Sequence, residues 1–138
     1  NKERELITGA VKNCEGRFLF INRLMKDEEV KKVVQSCNAV YVAYEDFFHS
    51  SNIQLKAAAF GKPMIAGPRH LISERTKRFG MGWCLPELTE EAVEDLLNRI
   101  DEKEIERVSG EARFQEFCEE HSQERLREVL AEVSVLLG

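Results

Sequence analysis

Two apolar patterns alternate along this chain. In the first, apolar residues recur every three or four positions, which places them on one face of a helix. Leu6, Ile7, Ala10, Val11 and Cys14 do so within residues 2–14. Val30, Val33, Val34 and Cys37 do so after Asp27, an N-cap candidate followed by Glu28 and Glu29. In the second pattern, short apolar runs mark strands covered on both faces. Residues 17–21, 39–44, 64–67 and 81–85 read this way. Between the second and third runs lie a loop (45–49), three good N-cap types (Ser50, Ser51, Asn52) and an alanine-dominated helix over 53–60, closed by Gly61 and Lys62-Pro63. Leu71, Ile72 and Phe79 predict a helix stopped by Gly80. Thr89 caps a helix carrying Val93, Leu96, Leu97 and Ile100. Ile105, Val108, Ala112, Phe114 and Phe117 continue as helix, loosened at Ser109-Gly110. Ser122 caps the last helix, with Leu126, Val129, Leu130, Val133, Leu136 and Leu137 as its stripe.

The alternation of strand and helix predicts an α/β domain with at least four parallel strands. It spans residues 1–138, with 102–138 as carboxyl-terminal helices. Residues 37–67 form the βαβ unit around which the rest is arranged. Its helix begins just past the carboxyl end of a strand, where open α/β sheets bind ligands and where helix amides and the positive dipole end are free.

With 138 residues, 43% of them hydrophobic, the chain supports one core. The net charge of −5 argues against a nucleic-acid partner, which needs a basic face. One basic run, Arg69, His70, Arg75, Lys77 and Arg78, reads as a solvated helix face or as an anion-facing patch. Cys14, Cys37, Cys84 and Cys118 are widely spaced, without a Cys-x-x-Cys pair, and suit buried thiols in a reducing cytoplasm. No run approaches the ~20 apolar residues that cross a bilayer, so any membrane contact is at most peripheral. The chain opens on Asn1 within a helical pattern and reads as a piece of a longer protein.

Residues 37–67, above all Ala57-Ala58-Ala59-Phe60-Gly61-Lys62-Pro63-Met64-Ile65-Ala66, resemble the donor-side half of GT-B glycosyltransferases, closest to the group 1 or family 4 type. The resemblance runs from about Phe18 to Leu137. It implies a Rossmann-like three-layer sandwich with a mostly parallel sheet, incomplete at its N-terminal side, where two further strand–helix units are expected. It also implies the nucleotide-sugar-binding half of an enzyme that transfers a hexose-type sugar. The acceptor would be held by an absent N-terminal domain, so the isolated chain would be inactive. The donor would be a substrate, with no cofactor and no metal. No Asp-x-Asp stands at a strand end.

Ser50, Ser51 and Asn52 are the leading candidates to hold the donor diphosphate, because short polar side chains at a helix start leave room for convergent donors. Ordinary N-capping is the plainer reading. Much of the family carries two glutamates separated by seven residues, the second of which binds ribose. Phe48 and Lys56 stand at those positions here. A lysine cannot accept from ribose hydroxyls but can reach a phosphate or a carboxylate. The stretch from His49 to Ile53 resembles family branches that use a Ser/Gly-rich turn instead. His49 and Arg23 complete the candidate set as loop residues on the same sheet edge. Asn22-Arg23-Leu24 imitates the Gly-Arg-Leu that opens the family's donor domain, yet the nearness of Cys37-Asn38-Ala39-Val40 marks it as a later loop. The missing glutamates also fit a non-catalytic scaffold that has lost donor binding. An unrelated Rossmann-like or flavodoxin-like module would carry Gly-x-Gly-x-x-Gly or a strand-end aspartate, and neither is present.

Overall fold

The computed structural model describes residues 19, 21 and 23–137, with side chains up to residue 132. The expected helix over 2–14 lies outside these residues, as does most of the expected strand over 17–21. Of that strand only Leu19 and Ile21 are described, both exposed and outside any strand.

The described elements are α1 (Asp27–Ser36), β1 (Val40–Val42), α2 (Asn52–Ala59), β2 (Met64–Ala66), α3 (His70–Phe79), β3 (Gly82–Cys84), α4 (Glu90–Leu97), α5 (Glu102–Glu111), α6 (Phe114–Glu120) and α7 (Gln123–Leu137). The described strands form one open parallel sheet in the order β1-β2-β3. Val40, Tyr41 and Val42 pair with Met64, Ile65 and Ala66, which pair in turn with Gly82, Trp83 and Cys84. The central strand is buried along its whole length, as its unbroken apolar run requires.

Alternate strand residues feed two cores. On one face Val42, Met64 and Ala66 meet Ala57, Ala58, Ile72, Phe79, Phe114 and Phe117. On the other, Ala43, Ile65 and Leu85 meet Ala92 and Leu96 of α4. The alanines of α2 present no bulk, so that helix lies close on the sheet with Ala57 and Ala58 sealed from solvent. Phe79 and Phe117 meet edge to face at 5.3 Å. Burying each contributes about 1.5–3 kcal/mol.

The caps follow the side chains. Ser51, Thr89 and Ser122 each accept from a backbone amide three residues on. Gly80 ends α3 at φ 64°, where a Cβ is disfavoured. Two expectations are corrected. The N-cap of α1 is Lys26, not Asp27, because Glu29 reaches back and its carboxylate accepts from the Lys26 amide at 2.9 Å. The long helix over 105–117 breaks at Ala112-Arg113, not at Ser109-Gly110. Ala112 is extended, and the Arg113 amide leaves the helix to donate to the Phe79 carbonyl at 2.9 Å. A tertiary bond at the end of α3 thus outweighs the local weakness of glycine.

Candidate functional site

The loop between β1 and α2 rises from the carboxyl edge of the sheet and closes on its own aromatic rings. Tyr44 meets Phe47 at 5.1 Å, Phe47 meets His49 at 6.0 Å, and Phe48 lies against His70 at 4.2 Å. Two hollows flank this aromatic group.

The first is a cleft of about 300 Å³. Ser50, Ser51, Asn52 and Leu55 wall it from the start of α2, Arg75 from α3, and Phe117 and His121 from the end of α6. Ser50 and Asn52 are exposed, while the Ser51 hydroxyl accepts from the Gln54 amide at 3.3 Å. The first amides of α2 have no carbonyl one turn earlier to bond and carry the positive end of the helix dipole. Arg75 is half-buried, and its guanidinium faces the Phe117 ring at 6.0 Å. Burial pushes its pKa down. The ring of His121 lies 4.3 Å from that of Phe117, and its Nδ1 is 2.8 Å from the Phe117 carbonyl. A carbonyl only accepts, so Nδ1 carries the proton and Nε2 is left for another partner. Among the described residues, no carboxylate lines this cleft.

The second is a cavity of about 220 Å³ at the carboxyl ends of all three strands. Its lining comes from Tyr44, Glu45 and Asp46 after β1, from Pro68, Arg69 and His70 after β2, and from Pro86, Glu87 and Leu88 after β3. Asp46 (φ 49°) and His70 (φ 71°) are the two non-glycine residues with positive φ among those described, and both stand here. Such backbone is strained and tends to collect at functional loops. Three carboxylates against Arg69 and His70 make this cavity poor for an anion and suitable for a ligand rich in hydroxyl groups.

Of the residues singled out in the sequence, Ser50, Ser51 and Asn52 come together at the cleft. Lys56 lies one turn further along α2, its Nζ 2.9 Å from Asp27 Oδ1. Arg23 pairs with Glu29 at 2.6 Å, and His49 turns to Phe47. None of these three lines either hollow. The basic run divides: Arg69 and His70 go to the apical cavity, Arg75 to the cleft, and Arg78 to Glu120 at 2.8 Å. Arg75 stands out in the sequence only as one member of the basic run, and His121 does not stand out at all. Only the packing of α6 across α2 and α3 brings them to Ser50, and no local pattern signals a contact between residues so far apart. Among the described residues, no group of His, Cys, Asp and Glu is placed to hold a metal ion, and no helix is long and apolar enough to cross a membrane.

The chain matches no family model and has no significant match to any curated protein.

Proposed function

We propose that this chain is the Rossmann-like donor-side domain of a GT-B glycosyltransferase. It would bind a nucleotide-diphosphate sugar whose hexose-type sugar passes to an acceptor on a partner domain. The observation that carries this reading is the cleft in which Ser50, Ser51 and Asn52, at the start of α2, face Arg75 with no carboxylate of the described residues between them. As the sugar leaves, negative charge gathers on the diphosphate. Fixed amides, a helix dipole and a guanidinium held in place stabilise that charge without reorganising. The apical cavity offers Tyr44 and the carboxylates of Glu45, Asp46 and Glu87 to sugar hydroxyls.

A second reading is a scaffold without donor binding. It draws on Lys56, which stands where the resembled enzymes have a ribose-binding glutamate and is taken up by Asp27. Titration of isotope-labelled protein with UDP, GDP, ADP and the corresponding hexose esters separates the two. Shifts of the Ser50, Ser51 and Asn52 amides are expected for a donor domain. Unperturbed amides there, with every nucleotide at millimolar concentration, select the scaffold.

A further inference from the structure

We infer that Arg75 and His121 form the far jaw of a phosphoryl clamp, closing on a diphosphate from the side opposite the start of α2. The inference rests on the donor-domain reading only for what is attached to the diphosphate; the clamp itself comes from charge and geometry.

Arg75 is the anomaly that points to a ligand. Arg23, Arg78, Arg107, Arg113 and Arg125 each reach a carboxylate within 3.0 Å, while Arg69, Arg99 and Arg127 reach none among the described residues but are exposed to water. Arg75 is half-buried and reaches none among the described residues, its neighbour being the Phe117 ring. A partly desolvated cation without a counter-charge is costly, and an anion entering the cleft offsets that cost. The guanidinium presents parallel N–H donors that match two phosphoryl oxygens at once.

His121 supplies the second contact. Its Nδ1–H is fixed on the Phe117 carbonyl, which sets the ring orientation; Nε2 is then left to accept from a protonated phosphoryl oxygen, or to donate to an ionised one when the ring carries a second proton. The neighbouring acids are occupied away from the cleft: Glu120 by Arg78 at 2.8 Å, and Glu119 by Gln115 at 2.8 Å. The positive start of α2 and the Arg75 guanidinium therefore line a space of about 300 Å³, enough for two linked phosphoryl groups and a few waters.

The test uses inorganic pyrophosphate, with calorimetry and amide shifts as readouts, on wild type, Arg75→Gln, Arg75→Lys and His121→Asn. Asparagine keeps a donor near the Phe117 carbonyl and removes Nε2. Pyrophosphate is expected to shift the amides from Ser50 to Asn52. Arg75→Gln weakens binding about tenfold or more, as loss of a charge-assisted bidentate contact should. Arg75→Lys falls between, and His121→Asn weakens binding about threefold to tenfold while the protein keeps its folded amide spectrum. Equal pyrophosphate affinity in wild type and Arg75→Gln overturns the clamp, as does a shift pattern elsewhere on the surface. A nucleotide sugar binding wild type and Arg75→Gln alike removes the clamp and keeps the donor domain. Arg75-dependent pyrophosphate binding with no added affinity from any nucleotide sugar keeps the clamp and removes the donor domain. Absence of binding by either ligand overturns both.

Discussion

Lys56 Nζ sits 2.9 Å from Asp27 Oδ1, and this bond ties the middle of α2 to the first turn of α1. Asp27 is held below the usual carboxylate range by hydrogen bonds from Lys56 first and from Lys31 second. The lysine at the ribose position therefore serves the packing of two helices. Lys56→Glu would place two carboxylates in that contact. Thermal unfolding should show a lower Tm for this variant, partly recovered in Lys56→Glu/Asp27→Lys, where the charges are exchanged but residue 27 now faces Lys31. Equal Tm for the wild type and the single variant would mean that the bond contributes nothing.

A second link between helices is fully buried. Gln54 Nε2 donates to the Ile72 carbonyl at 3.0 Å and to Thr76 Oγ1 at 3.2 Å, stitching α2 to α3 directly beneath the cleft. Gln54→Ala removes both bonds and leaves a cavity. A loss of about 2–4 kcal/mol in urea unfolding is expected. Thr76→Val should not add its full cost to that of Gln54→Ala, because the two residues share one network.

Two glycines should respond to alanine in opposite directions. A Cβ on Gly82 would fall 1.9 Å from the Met64 carbonyl oxygen, and its φ of 149° is barely open to other residues. Gly82→Ala is expected to cost more than about 4 kcal/mol or to prevent folding. Gly110 lies inside α5 with open space around it. There Gly110→Ala should stabilise by about 0.5–1 kcal/mol. Chemical denaturation of the two variants beside wild type checks both signs.

Trp83, the only tryptophan, reports on an acid pair. Its Nε1 donates to Glu104 Oε1 at 3.1 Å, and Arg107 bonds both Glu104 oxygens at 2.8 Å. Arg107 first and Trp83 second hold the Glu104 pKa at about 2, below its ordinary 4.5. The folded value is the lower one. The pair's contribution is therefore complete above pH 4.5 and is lost as pH falls towards 2. The stability difference between wild type and Glu104→Gln, monitored by Trp83 fluorescence, should shrink across that window. It should also shrink in high salt, because the carboxylate is only partly buried and Arg107 is exposed to screening ions. A difference that is constant from pH 5 to pH 2 would overturn the pairing.

Much of this organisation is written locally. Alternating apolar runs place β1, β2 and β3, and Ser51, Thr89 and Ser122 mark three helix starts through chemistry that acts over three residues. The start of α1 differs by one residue because Glu29 caps from inside the helix, which a search for N-cap types alone does not see. The break at Ala112-Arg113 is illegible for a different reason: its cause is the Phe79 carbonyl on another helix. The candidate site divides the same way. Ser50, Ser51 and Asn52 are contiguous and can be read together. Arg75 and His121 join them only through the packing of Phe117 on Phe79. Lys56 and Arg23 each find a carboxylate on α1, which charge alone does not assign.

The place of Phe114 and Phe117 in the main core bears on where this unit can be cut. A version ending at Glu111 would strip Phe79 of its aromatic neighbour and take away the wall that carries His121. Truncations or fusions meant to preserve binding must therefore keep the chain intact through His121, even though the described sheet is finished at Cys84.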